Sequence, residues 1–192
     1  MAHDEAAALH SLTGLLDDWL AFQRWYRQVP SMVVGMSIGD ETVFTGAYGY
    51  ADIDGGVPAT THTRYRIASH SKVFTTTAIM QLVEDGRLRL DDPVARHLEW
   101  FRDSAGDSEL AHVTIRHLLC HASGITRDGA TTHWYDDRFP EVDEIVRQVD
   151  SLTVFPTVDR LKYSNVAFTL AGLVVEAVTG RPYEEHVTAA IL

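Results

Sequence analysis

The sequence predicts an α+β fold, with an antiparallel hairpin near its start and a series of helices after it. Three observations lead there. Residues 32–38 and 42–50 are rich in Val, Phe, Thr and Tyr and are split by Gly39-Asp40, the pattern of two strands around a tight turn. From Ser69 onward, helix-entry residues and Gly or Pro stops bracket successive apolar runs. A hydrophobic content of 45% with 22% charged residues describes an ordinary globular chain without a sign of disorder.

In order along the chain, residues 5–27 carry Leu9, Leu12, Leu16, Trp19 and Leu20 at helical spacing, which predicts an amphipathic first helix. Pro30 ends it. After the hairpin, Asp54-Gly55-Gly56 makes a turn. Ser69 caps or enters a helix running to about Asp85, with Gly86 as its stop. Asp91-Asp92-Pro93 starts a short helix, with Pro in the first turn. Thr114 caps residues 115–121, Pro140 opens a helix through Val149, and Ser164 or Asn165 begins one that runs to Thr179. Gly180 and Pro182 stop that helix, and residues 183–192 start another.

A lone hairpin leaves two edges and an apolar face without partners. The expectation is therefore one incomplete domain over residues 1–192. Residues 1–66 form its helix and hairpin, residues 67–192 its mainly helical, motif-bearing region, and further strands lie beyond Leu192. A compact, mainly helical fold with a β-ribbon is the competing expectation.

Charge and composition narrow the function. A net charge of −11 with no cluster of Lys or Arg argues against a nucleic-acid partner. The first residues lack the basic start of a secretory signal. The longest nearly apolar stretch, residues 166–175, is far short of the roughly 20 residues that span a bilayer. A cytoplasmic protein with no membrane partner is expected. Cys120 is the sole cysteine, so no internal disulfide forms.

Of the 16 basic residues only Lys72 and Lys162 are lysines, and Asn165 is the single asparagine. Ser69-His70-Ser71-Lys72 has the form S-x-x-K, and residues three apart on a helix share a face. A hydroxyl beside an amine suits a nucleophile and its base. Burial and the positive end of a helix both favour the free amine, a service that Arg cannot give. Tyr163-Ser164-Asn165 has the form Y-x-N just before a helix. There a phenol can relay a proton and an amide can grip a substrate carbonyl. The Ser69 backbone N–H, at a helix start, suits one side of an oxyanion hole. With this composition, chance yields roughly 0.1 S-x-x-K and 0.04 Y-x-N matches. Each alone is weak; together they are specific.

The run Arg66-Ile67-Ala68-Ser69-His70-Ser71-Lys72 resembles the nucleophile segment of the serine β-lactamase, penicillin-binding protein and esterase superfamily, nearest its class C β-lactamase-like branch. Residues 82–94, the block Val113-Thr114-Ile115-Arg116-His117-Leu118-Leu119-Cys120-His121-Ala122-Ser123-Gly124-Ile125, Tyr163-Ser164-Asn165 and residues 172–182 also resemble that family, so the likeness covers roughly residues 31–192. The resemblance implies a β-lactamase/transpeptidase-like fold. It further implies Ser69 as the acylated nucleophile, Lys72 as its activating partner, Tyr163 as proton relay and Asn165 as a substrate contact. The implied substrates are an ester, a β-lactam or a D-amino-acid amide, with no cofactor. The family's third motif, Lys or His followed by Thr or Ser and Gly, is absent from the chain. The absence implies little or no activity for these residues alone, and the exposed sheet edge leads to the expectation of a homo-oligomer or a second polypeptide that completes the sheet.

Rival expectations are fewer. The fold without its chemistry would serve as a binding or assembly module. His117, Cys120 and His121 lie within one helical turn, but no second metal-ligand pair accompanies them, so no metal is expected. Cys120 as a nucleophile is disfavoured, since it falls among Leu118 and Leu119 and reads as core. Ser123 lacks the G-x-S-x-G elbow and reads as a turn residue. Trp134 and Tyr135, in the polar stretch 127–139, either rim the cleft or pack beneath the loop.

Overall fold

A computed structural model describes residues 2–129, 140–148 and 160–192. The fold is α+β, and the chain separates into two compact units, Met1–Arg66 and Ile67–Leu192.

The first unit comprises α1 (Ala2–Tyr26), β1 (Ser31–Ile38), β2 (Glu41–Asp52) and β3 (Val57–Pro58). The strands form an antiparallel sheet in the order β1-β2-β3. Ile38 pairs with Glu41 across the Gly39-Asp40 turn, and Gly39 has φ 59°, a backbone state that glycine adopts at no steric cost. A bulge between Met36 and Ser37 shifts the register, since Met36 pairs with Phe44 and Ser37 with Thr42. β3 is two residues long, too short to show any periodicity in the sequence. Gly49 has φ 79°, and a Cβ on it would lie 2.1 Å from the Pro30 carbonyl oxygen. Tyr50 N–H donates to that same oxygen.

α1 departs from expectation in the face it buries. Leu20 is buried and Leu9 and Leu16 are half-buried, whereas Leu12 and Trp19 are each 55% exposed. The helix carries apolar residues on two sides, so periodicity alone does not select the inward one. On the outward side Phe22 stacks on Tyr26 and tilts against Trp25.

The second unit is helical among its described residues. A 3-10 turn, Ala68–His70, leads into α2 (Ser71–Glu84), followed by α3 (Val94–His97) and α4 (Glu99–Ala105). A second 3-10 turn, Glu109–His112, precedes α5 (Ile115–Leu119), and α6 (Val142–Val146), α7 (Asn165–Thr179) and α8 (Tyr183–Ala190) complete the order. Thr75, Ala78, Ile79 and Leu82 of α2 are buried at steps of three and four, as are Val166, Ala167, Leu170, Ala171, Val174 and Val175 of α7. These stripes join Phe101, Ile115 and Leu118 in one continuous core. Each fully buried large side chain stabilises by about 1.5–3 kcal/mol, so the α2–α7 seam is a rigid base for what it carries.

The caps explain where the helices stop. Gly86 at φ 69° follows α2, and Gly180 at φ 70° follows α7. Ser164 caps α7, its Oγ accepting the Ala167 N–H at 2.9 Å. Thr114 caps α5 reciprocally with His117: Thr114 Oγ1 accepts the His117 N–H, and His117 Nδ1 accepts the Thr114 N–H. α5 ends two residues earlier than expected because His121 takes φ 56°. Pro93 is the N-cap of α3, one position before its expected place. Asp92 bonds back to the Arg89 N–H and to the Arg96 guanidinium. α6 begins at Val142, two residues after Pro140; Val149 lies outside the described residues. No helix among the described residues is long and apolar enough to cross a membrane.

Candidate active site

Ala68, at φ 46°, is a non-glycine residue in the left-handed region, where strain collects at functional turns. It delivers Ser69 into the 3-10 turn before α2. The Ser69 hydroxyl makes no helix cap; it is exposed and shares a 2.6 Å hydrogen bond with Tyr163 Oη. One helical step on, Lys72 Nζ donates to Ser69 Oγ at 3.4 Å and to Asn165 Oδ1 at 2.6 Å. Tyr163 directly precedes the Ser164 cap, and Asn165 is the first residue of α7. Packing of α2 on α7 thus gathers Ser69, Lys72, Tyr163 and Asn165 from two segments more than 90 residues apart.

The electrostatics centre on the phenol. Hydrogen bonds from Lys72 and then Ser69 hold the Tyr163 hydroxyl below its ordinary pKa, against the upward pull of burial; the charges of Lys72 and Arg127 add to the effect. Lys72 Nζ also lies 4.9 Å from the centre of the Tyr163 ring and 5.4 Å from that of Phe168.

Both ends of the Asn165 amide face protein. Its oxygen receives Lys72, and its Nδ2 donates to Asp128 Oδ1 at 2.5 Å. The NH₂ group carries a second N–H, which is the donor left for the expected grip on a substrate carbonyl.

The stretch 121–128 supports the site, and its residues carry no spacing that announces them. His121 accepts the Ser164 N–H through Nδ1 at 3.2 Å and the Lys162 N–H through its carbonyl at 2.8 Å. Its ring lies 4.4 Å from that of Tyr163. Burial, and then the Lys72 charge, push the His121 imidazole pKa down. Arg127 offers its carbonyl to the backbone N–H groups of Asn165 and Val166. His121 did stand in the block that carried the family resemblance; Arg127 and Asp128 stood outside it.

His117 is occupied by its cap with Thr114. Among the described residues no three His, Cys, Asp or Glu side chains gather as a metal group would. Cys120 is not core: α5 ends at Leu119 and the thiol is exposed at the helix C-terminus. Ser123 is fully buried in the turn after α5, its Oγ accepting the Ile125 N–H at 3.4 Å. Trp134 and Tyr135 lie outside the described residues.

Comparison with known proteins gives this arrangement a family. The family described as Beta-lactamase matches residues 16–192. The chain belongs to the Beta-lactamase family. Protein flp of Staphylococcus aureus (strain MW2) is 35% identical over 144 residues, covering 73% of this chain and 28% of that protein. The octameric penicillin-binding protein homologue from Pyrococcus abyssi superposes with TM-score 0.79 at 31% identity, over 93% of this chain and 42% of that one. The D-amino acid amidase from Ochrobactrum anthropi SV3 does so with TM-score 0.74 at 31% identity, over 95% and 48%. The chain thus spans less than half the length of each of these proteins. The β-lactamase/transpeptidase-like fold class and membership of this serine hydrolase family follow.

Proposed function

We propose that this chain carries the nucleophile half of a serine acyl hydrolase, with Ser69 as the residue that becomes acylated. The observation that supports it most is the 2.6 Å bond between Ser69 Oγ and Tyr163 Oη, with Lys72 Nζ donating to the same serine oxygen.

Ser69 Oγ attacks the carbonyl carbon of an ester, β-lactam or D-amino-acid amide, and its proton passes to the Tyr163 oxygen. Tyr163 is the nearer acceptor, and its lowered pKa favours the phenolate that this step needs. Lys72 activates the serine by holding that phenolate and orienting the hydroxyl. As the carbonyl–leaving-group bond breaks, Tyr163 returns the proton to the departing amine or alkoxide, leaving an ester on Ser69. Water, deprotonated by the same phenolate, then attacks the ester carbonyl; the bond from the acyl carbon to Ser69 Oγ breaks, and Tyr163 returns the proton to Oγ as the acid leaves. Asn165 holds the acyl carbonyl through its second Nδ2 N–H, keeping its bonds to Lys72 and Asp128.

The third family motif is absent from the sequence, and loss of one oxyanion donor costs about 10²–10³ in turnover. These 192 residues by themselves therefore turn over slowly, and the substrate pocket and sheet are completed by further chain or by a partner. Comparing chromogenic-ester hydrolysis by this chain and by a longer version tests that part, and equal rates overturn it.

The nucleophile is tested by intact mass after treatment with a fluorophosphonate. One adduct on the wild type, none on Ser69→Ala and a rate about 10²–10⁴ lower in Tyr163→Phe is the expected result. A protein that serves only as a binding or assembly module acquires no adduct.

A further inference from the structure

We propose that Asp128 is a positioning residue: its carboxylate fixes which end of the Asn165 amide faces Lys72, and thereby aims the Lys72 amine at Ser69. The kinetic consequence rests on the serine-nucleophile function proposed above; the orientation itself does not.

The two ends of an asparagine amide are nearly the same size and opposite in hydrogen-bonding sense. Nothing in the side chain prefers one orientation, so its neighbours choose. A carboxylate only accepts, so the end that meets Asp128 Oδ1 at 2.5 Å is the NH₂ group. The carbonyl oxygen is then turned to the opposite side, where Lys72 Nζ lies 2.6 Å away. An ammonium group only donates, so the two neighbours demand the same orientation. With one N–H on Asn165 Oδ1, the remaining N–H groups are turned towards Ser69 and Tyr163. Reversing the amide would set its NH₂ against the lysine and swing the amine away from the serine oxygen, 3.4 Å distant.

Asp128 is itself held. Its Oδ2 pairs with Arg127 Nε at 3.2 Å, and its side chain is 19% exposed. The Arg127 carbonyl accepts the Asn165 N–H at 2.7 Å. The Arg127-Asp128 dipeptide thus grips both the backbone and the side chain of the first residue of α7. Among the described residues, the titratable and charged groups near the amine are Tyr163, His121, Arg127 and Asp128, with Glu176 and Tyr183 lining the same pocket. Of these, Asp128 alone bonds the far end of the amide.

Asn165 is the single asparagine in the chain, so labelling with ¹⁵N-asparagine yields one side-chain NH₂ signal. In the wild type one of its two protons is expected well downfield of the other, as a proton given to a carboxylate is. Asp128→Leu should collapse that separation, and Asp128→Glu should restore part of it. In the fluorophosphonate reaction, Asp128→Leu should lower the maximal rate of Ser69 labelling by about ten- to a hundredfold, with the half-saturating probe concentration unchanged; Asp128→Glu should recover part of the rate. An NH₂ signal identical in wild type and Asp128→Leu overturns the proposal, as do equal labelling rates. A wild type that is never labelled sinks the serine-nucleophile function instead, and the amide signal still decides the orientation.

Discussion

The two units of the chain treat their apolar residues in opposite ways. Met1–Arg66 is rich in large hydrophobic side chains, yet among its described side chains the buried apolar ones are Leu20 and Ala59, while Leu15 is 70% and Trp25 62% exposed. Ile67–Leu192 sinks the apolar stripes of α2, α5 and α7 completely into one continuous core. Every candidate catalytic group stands on the second unit. The contrast teaches where precision is needed: a bond of 2.6 Å between residues 94 positions apart requires a base with no freedom to shift, and close packing supplies it.

Several substitutions can break or sharpen this contrast. The largest effect is expected in the core of the second unit, where Phe101→Ala should destabilise by about 3–5 kcal/mol and Leu170→Ala by about 2–5 kcal/mol, measured by denaturant unfolding. Leu12→Ala on the exposed side of α1 should stay within about 0.5 kcal/mol. A large cost at Leu12 would mean that the helix buries a face not seen here. Next comes Gly49→Ala. An L-residue at φ 79°, with its Cβ against the Pro30 carbonyl, should cost about 1–3 kcal/mol. If the units are energetically separate, amide exchange in β2 accelerates while that in α7 is unchanged; acceleration in both refutes that separation.

The smallest effects are pH-dependent and run in opposite directions. In the second unit, folding lowers the pKa of His117 and His121, so the unfolded chain binds more protons. Stability should be complete above the ordinary histidine pKa of about 6.5 and decline as pH falls below it. His117 protonation removes the Nδ1 acceptor of the α5 cap, and His121 protonation removes the acceptor for the Ser164 N–H. His121→Asn, which suits a left-handed backbone, should remove part of that acid dependence. In the first unit, burial and a hydrogen bond to Asp17 push the Tyr48 phenol up to about 12. The stability it adds is present below the ordinary tyrosine pKa of about 10 and lost as pH rises towards 12. Tyr48→Phe should flatten that alkaline limb. Thermal unfolding across pH, followed by tryptophan fluorescence, measures both limbs; a Tyr48→Phe profile matching wild type above pH 10 argues against the Asp17 bond.

Local features of the fold were legible. The Gly39-Asp40 turn, the Gly86 and Gly180 stops and the Thr114 and Ser164 caps act within a few residues, so the sequence displays them directly. The meeting of Ser69 with Lys72 is equally local, being one helical step. Tyr163 and Asn165 were legible through the scarcity of Asn and the Y-x-N spacing. The inward face of α1 was not, because its apolar residues occupy two sides and only a neighbour chooses between them. Cys120 was misplaced for a related reason: α5 stops at Leu119, and His121 turns the chain through a left-handed residue that no pattern marks.

The order of helices and hairpin, the Ser69 hydroxyl beside the Lys72 amine and the family itself were determined by the residues alone, because each rests on short-range periodicity, capping or a compact motif. Which carboxylate orients Asn165, which imidazole backs Tyr163 and which oxygen lies nearest the serine proton were decided only by tertiary structure. Those answers depend on two helices meeting at one place, and a chain read residue by residue does not record the distance between parts that approach only after folding.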